Sequence, residues 1–169
     1  MNKVLLGSLV AGALVIAGCG SKTPEASTET VVVDEVVAPV IGPSDAEVLA
    51  ALISSINGSL GSVHFDFDKF NIKADQQGIV SQNASILNGK DASAFNIKVE
   101  GNCDEWGSDE YNYALGLKRA KSAKDALVSR GIAAERVSVV SYGESNPVCT
   151  EHSKACDAQN RRADFKVLQ

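Results

Sequence analysis

From residue 44 onward the apolar positions alternate between two periods. Val48, Leu49, Leu52, Ile53 and Ile56 recur at spacings of three and four behind Ser44-Asp45-Ala46-Glu47. That pattern predicts a helix capped at Ser44 and ended by Gly58 and Gly61. Val63, Phe65 and Phe67 then alternate with His64, Asp66 and Asp68, which predicts a strand with one buried face. Ile79, Val80, Ile86 and Leu87 mark a weaker helix over roughly 74–88, and Phe95, Ile97 and Val99 a second strand. The longest helix is predicted over about 109–130, stopped at Gly131. Val137, Val139 and Val140 belong to a third strand closing at Tyr142-Gly143, and after a loop Ala163, Phe165 and Val167 form a fourth.

Alternating strands give one face to a core and one to water, unlike the continuous apolar runs of a doubly wound sheet. The order β-α-β-α-β, a loop and a last β predicts an α+β fold with helices packed on one face of a mixed four-stranded sheet. Strands 1 and 2, and strands 2 and 3, flank helices and are expected to pair in parallel through right-handed crossovers.

The first 18 residues follow another rule. They carry one charge, Lys3, ahead of an apolar run from Val4 to Ala17. Fourteen residues fall short of the roughly 20 that span a bilayer core, so the segment reads as a secretory signal. It ends in Ile16-Ala17-Gly18-Cys19, which resembles the lipobox of bacterial lipoproteins. The resemblance implies cleavage before Cys19 and acylation of that cysteine; Gly20, in place of the aspartate usual in inner-membrane members, implies the outer membrane. Residues 19–43 contain Pro24, Pro39 and Pro43, Ser and Thr, and four acids against one lysine. They read as a flexible spacer, roughly 25–30 Å across as a coil and about 80 Å when stretched. The expected organisation is 1–18 signal peptide, 19–43 lipidated cysteine and linker, and 44–169 one domain.

Charge narrows the choice of partner. The chain has a net charge of −5 at 44% hydrophobic content. No block of Lys and Arg interleaves with aromatics, so no nucleic-acid partner is expected. Parallel strands 1 and 2 would bring Phe67-Asp68-Lys69-Phe70-Asn71 and Gly101-Asn102-Cys103-Asp104 to one rim, where the long helix also begins. Asn112, Leu115 and Arg119 share one side of that helix, and Arg119 leans back toward the rim. A carboxylate and a guanidinium at one rim suit a ligand bearing both an ammonium and a carboxylate.

Five segments occur in order: Val63 to Lys69, Val99 to Gly107, Tyr111 to Ala120, Ser141-Tyr142-Gly143-Glu144 and Asn160-Arg161-Arg162. Together they resemble the OmpA-like peptidoglycan-binding domain, and with lipobox and spacer the chain resembles the peptidoglycan-associated lipoproteins. The resemblance implies a non-catalytic tether that grips the meso-diaminopimelate side chain of the wall peptide. Matched by motif, Asp104 would face the ligand's ammonium and Arg119 its carboxylate. Asn112, Asp68, Asn71, Leu115 and Arg161 would make secondary contacts. Asn102-Cys103 departs from the His-Thr or Asn-Thr of many relatives. Membership further implies the Tol–Pal envelope system, with TolB among its partners, a surface overlapping the wall site, and a role in division.

Other readings of the residues remain. A calcium loop begun at Asn102 puts Tyr113 where a bidentate glutamate is required, which excludes an EF-hand. Only His64 and His152 offer imidazoles for a wall-cleaving enzyme, and no nucleophile motif accompanies either; a protein-interaction hub is the other alternative. No cofactor is implied. Cys149 and Cys156 close an eight-residue loop and are expected to form a disulfide in an oxidising compartment. The rival is zinc on Cys149-x2-His152-x3-Cys156 with Cys103 as fourth ligand. Under the disulfide reading Cys103 is a free thiol at a strand end.

Overall fold

The computed structural model describes residues 44–169; the expected signal peptide, Cys19 and the expected linker lie outside the described residues. Helix α1 (Asp45–Ser59) opens with Ser44 accepting from the Glu47 amide and Glu47 reaching back to the Ser44 amide, a reciprocal cap. Strand β1 (Val63–His64), α2 (Gln77–Asn88) behind a 3-10 turn at Ala74–Gln76, β2 (Asn96–Asn102), α3 (Asp109–Val128) and β3 (Val137–Gly143) follow. A short helix α4 (Lys154–Asn160) precedes β4 (Arg162–Leu168). The sheet is mixed, and the class is α+β.

Its order is β1-β4-β2-β3. β2 and β3 pair in parallel, with Val99 opposite Val139, whereas β4 runs antiparallel to both β1 and β2. The expected direct pairing of strands 1 and 2 is therefore wrong: β4 is inserted between them. Because β4 is antiparallel to each, β1 and β2 still run the same way, and their carboxyl ends reach one rim as expected. β1 is also shorter than its alternation predicts. Lys69 donates its amide to Asp66 O at 3.2 Å, and Asp68 takes a φ of 56°, so the chain turns away after Phe65. The loop expected between β3 and β4 contains α4, whose N-cap Ser153 carries a helix with only Cys156 and Asn160 buried. So short a helix leaves no periodic stripe to read.

One face of the sheet carries the core. Val63, Ile97, Val99, Ala163 and Val167 are at most 1% exposed and pack with Val80, Leu87, Ala120, Ala123 and Leu127 from the helices. Each large aliphatic side chain so buried contributes about 1.5–3 kcal/mol. The other face is polar. Glu100 is buried there between Lys98 Nζ at 2.8 Å and Lys166 Nζ at 2.9 Å. Burial pushes its carboxyl up, yet the two lysines outweigh burial and hold it below its ordinary value.

Candidate functional site

The site begins with a close approach of backbones. A methyl group on Gly101 of β2 would fall 1.8 Å from the carbonyl oxygen of Gly116, and one on Gly116 would fall 2.3 Å from Ser141 Oγ. Two glycines thus let α3 lie directly against the ends of β2 and β3. One turn further along α3, Arg119 is carried beneath the rim and is fully buried.

Its guanidinium is occupied. Nε donates to Lys69 O at 2.8 Å, Nη1 to Asn102 O at 2.8 Å and Cys103 Sγ at 3.2 Å, and Nη2 to Asp66 O at 3.3 Å. The cation also sits 5.4 Å from the centre of the Phe65 ring. Burial lowers its pKa, with the neighbouring Cys103 and Asp104 opposing that shift. Arg119 therefore ties the turn after β1, the end of β2 and α3 into one unit. The motif match gives it a ligand role, with a structural pairing to an acid as the other reading; the structure makes it a structural hub bonded to backbone carbonyls instead.

Asp104 is 3% exposed. Its Oδ2 accepts from Arg161 Nη1 at 2.9 Å, while Arg161 Nε donates to Phe65 O at 3.2 Å. The carboxylate is thus paired with Arg161, the residue before β4, rather than with Arg119. Asn112 lies in the same cluster, fully buried. Its Nδ2 donates to Asp104 O at 3.3 Å and to Glu144 Oε2, and its Oδ1 has no hydrogen-bond partner. Such an orphan is expensive unless a ligand or water completes it. Cys103 is free and 2% exposed, its thiol 3.3 Å from Asn112 O. Burial pushes that thiol up to about 11.

Over this cluster runs a groove in two joined hollows. The first, of about 250 Å³, is lined by Phe67, Asp68, Asp104, Trp106, Gly107, Tyr111 and Leu115. The second, of about 260 Å³, continues over Asp68, Tyr111 and Leu115 to Phe70, Ala114 and Lys118. Tyr111 donates its hydroxyl to Asp68 Oδ1 between the two. Of the residues singled out from sequence, Asp104, Arg119 and Asn112 are buried together, the partly buried Arg161 joins them through Asp104, and Asp68 and Leu115 line the groove above. Asn71 is exposed and lines neither hollow. Alternation puts Phe67 on the buried face of strand 1, but β1 ends at His64 and Phe67 is exposed; Trp106 and Tyr111 are passed over as site residues. Each lies inside a segment that carries the family resemblance, but nothing in an alternating pattern says which aromatics stay outside the core.

Cys149 and Cys156 are joined by a disulfide with their Cα atoms 5.3 Å apart. Among the described residues no group of three or more His, Cys, Asp or Glu is placed to hold a metal ion. His152 faces Glu105 Oε1 at 2.9 Å, which raises its pKa, and His64 is half-buried on β1. Neither imidazole lines the groove. No helix among the described residues is long and apolar enough to cross a membrane.

Comparison with known proteins agrees with this geometry. Residues 64–161 match the model of the OmpA family. The peptidoglycan-associated lipoprotein of Pasteurella multocida is 36% identical over 164 residues, spanning 96% of this chain and 97% of that protein. Its Haemophilus influenzae counterpart is 33% identical over 165 residues, at the same shares. The crystal structure of the peptidoglycan-associated lipoprotein from Burkholderia pseudomallei superposes with a TM-score of 0.59 at 40% identity, covering 63% of this chain and 89% of that one. With its mixed sheet, its five ordered segments and relatives that match it almost end to end, the chain belongs to the OmpA family.

Proposed function

We propose that the chain is a non-catalytic outer-membrane lipoprotein that binds peptidoglycan through the side-chain tip of meso-diaminopimelate and so tethers the outer membrane to the wall. The observation that carries this reading is the cluster of Asp104, Arg161, Arg119 and Asn112 under an open groove. Asp104 and the unpartnered Asn112 Oδ1 are two acceptors for an ammonium. Arg161 supplies a guanidinium for the distal carboxylate. Arg119 has five N–H groups, four of them engaged in the bonds above, and holds the remaining one at Nη2. Charge-assisted contacts contribute about 1.5–3 kcal/mol each, so the affinity of one domain is modest.

The relatives' identity as lipoproteins and the lipobox-like segment Ile16-Ala17-Gly18-Cys19 support an anchor on Cys19, with the domain facing the periplasm. The Tol–Pal system, TolB as a partner and a role in division rest on family membership. The test is co-sedimentation with isolated wall. Asp104→Ala and Arg161→Ala, each checked for folding by circular dichroism, are expected to lose binding; undiminished pull-down by both rejects the site. Wall whose third residue is lysine, or amidated diaminopimelate, is expected to bind poorly, because the distal carboxylate is missing or neutral. Release of soluble fragments on prolonged incubation with purified wall would instead make the protein an enzyme. Loss of a TolB cross-link in Asp104→Ala cells is expected if the two surfaces overlap. A mass spectrum of the mature protein is expected to show an acylated Cys19 as its first residue.

A further inference from the structure

Phe67 and Trp106 are 61% and 59% exposed, and both line the groove over Asp104. They also line a third hollow, of about 410 Å³, on the other side, completed by Lys154, Asp157 and Arg161. The first and third hollows are therefore continuous across one aromatic pair. Trp106 is held there rather than left free: its Nε1–H donates to Asp157 Oδ2 at 3.1 Å. Asp157 belongs to α4, whose Cys156 is bonded to Cys149. Large aromatics kept in water on a folded surface mark a recognition site. Here the surface combines apolar ring faces with an ammonium, a carboxylate and a guanidinium at its edge.

That combination matches a pyranose ring, which offers an apolar C–H face for stacking and hydroxyl or acetamido groups around its rim. The occupant follows from continuity. Whatever places a wall peptide in the Asp104 groove carries the rest of the polymer with it, and the polymer's other component is saccharide. We propose that the Phe67–Trp106 hollow is a saccharide subsite that stacks a sugar ring of the glycan strand bearing the bound stem peptide. The proposal rests on the reading of the Asp104 groove given above.

Trp106 is the chain's one tryptophan, so its emission reports on the surface shared by the first and third hollows. The experiment titrates the purified full chain with two probes: the free tripeptide L-alanyl-γ-D-glutamyl-meso-diaminopimelate, and the same tripeptide on N-acetylglucosaminyl-N-acetylmuramic acid. Affinity is followed by calorimetry and Trp106 by fluorescence. The saccharide-bearing probe is expected to bind about tenfold more tightly, the contribution of one good aromatic stack, and, because Trp106 lines both of these hollows, to change Trp106 emission further than the free tripeptide does. Trp106→Ala and Phe67→Ala are each expected to bring the affinity ratio of the two probes toward one. The ratio cancels any effect a substitution has on both probes alike. Equal affinities in the wild type overturn the subsite while leaving the stem-peptide reading intact. An emission change of the same size with both probes assigns the hollow to the peptide and likewise overturns it. Failure of both probes to bind overturns the stem-peptide reading, and the subsite with it.

Discussion

Arg119 and Cys103 show how much one residue can carry without appearing at the surface. Replacing Arg119 by alanine would leave the carbonyls of Lys69, Asn102 and Asp66 without their donor. Each unsatisfied buried acceptor costs about 1–3 kcal/mol, so the loss is expected to exceed about 3 kcal/mol and to show as a lower urea midpoint. Arg119→Lys should recover little of it, because an ammonium cannot reproduce the fork. Cys103 gives a pH signature. Its folded value of about 11 lies above the roughly 8.5 of a free thiol, so below pH ~8.5 the thiol is neutral both folded and unfolded. Between there and pH 11 only the unfolded chain ionises it, and stability is lost as pH rises, by about 3 kcal/mol in total. Cys103→Ser keeps a hydroxyl for Asn112 O and Arg119 but does not titrate in this range, so urea midpoints of the two proteins should diverge from pH 8 upward. The sequence placed Arg119 and Asp104 at the same rim, through helical spacing and the direction of the strands. It could not show that Arg161 takes Asp104 first, because that depends on where β4 is inserted.

At the scale of elements, the contact of α3 with β2 depends on side chains that are absent. Gly101→Ala must push its methyl into the Gly116 carbonyl or drive the helix off the sheet. A loss of about 3 kcal/mol or more is expected, read as a large fall in melting temperature. Alternation and apolar spacing were enough to recover α1, α2, β2, β3 and β4 to within a few residues, and the stop at Gly131 marked the end of α3. They failed where structure is short or held by polar groups. β1 ends after His64 because the chain turns at Asp66–Lys69, and α4 is too brief to build a stripe. Asn83 is just as silent in sequence. It is fully buried and holds Gly61 through both its amide nitrogen and oxygen, at 2.7 and 2.9 Å. Hydrophobic periodicity has no mark for a polar residue whose partner is backbone 22 positions away.

For the molecule as a whole, the Cys149–Cys156 disulfide fastens the segment that brings Asp157 to Trp106 and leads into Arg161. Closing so short a loop contributes about 2.5 kcal/mol. Reduction under native conditions should lower the melting temperature, and after denaturation without reductant only Cys103, among the described cysteines, should be alkylated. Many anchored copies on one wall polymer would add avidity to a modest single grip. The Asp104–Arg161 bond has a consequence of its own. On the proposed reading, an entering diaminopimelate tip would be neutral overall and would trade one internal ion pair for two external ones, leaving the number of charges in the pocket and in solution unchanged. Long-range attraction then plays almost no part in capture, and binding should be nearly indifferent to ionic strength. Such an anchor would hold equally well as a bacterium moves between dilute and saline surroundings.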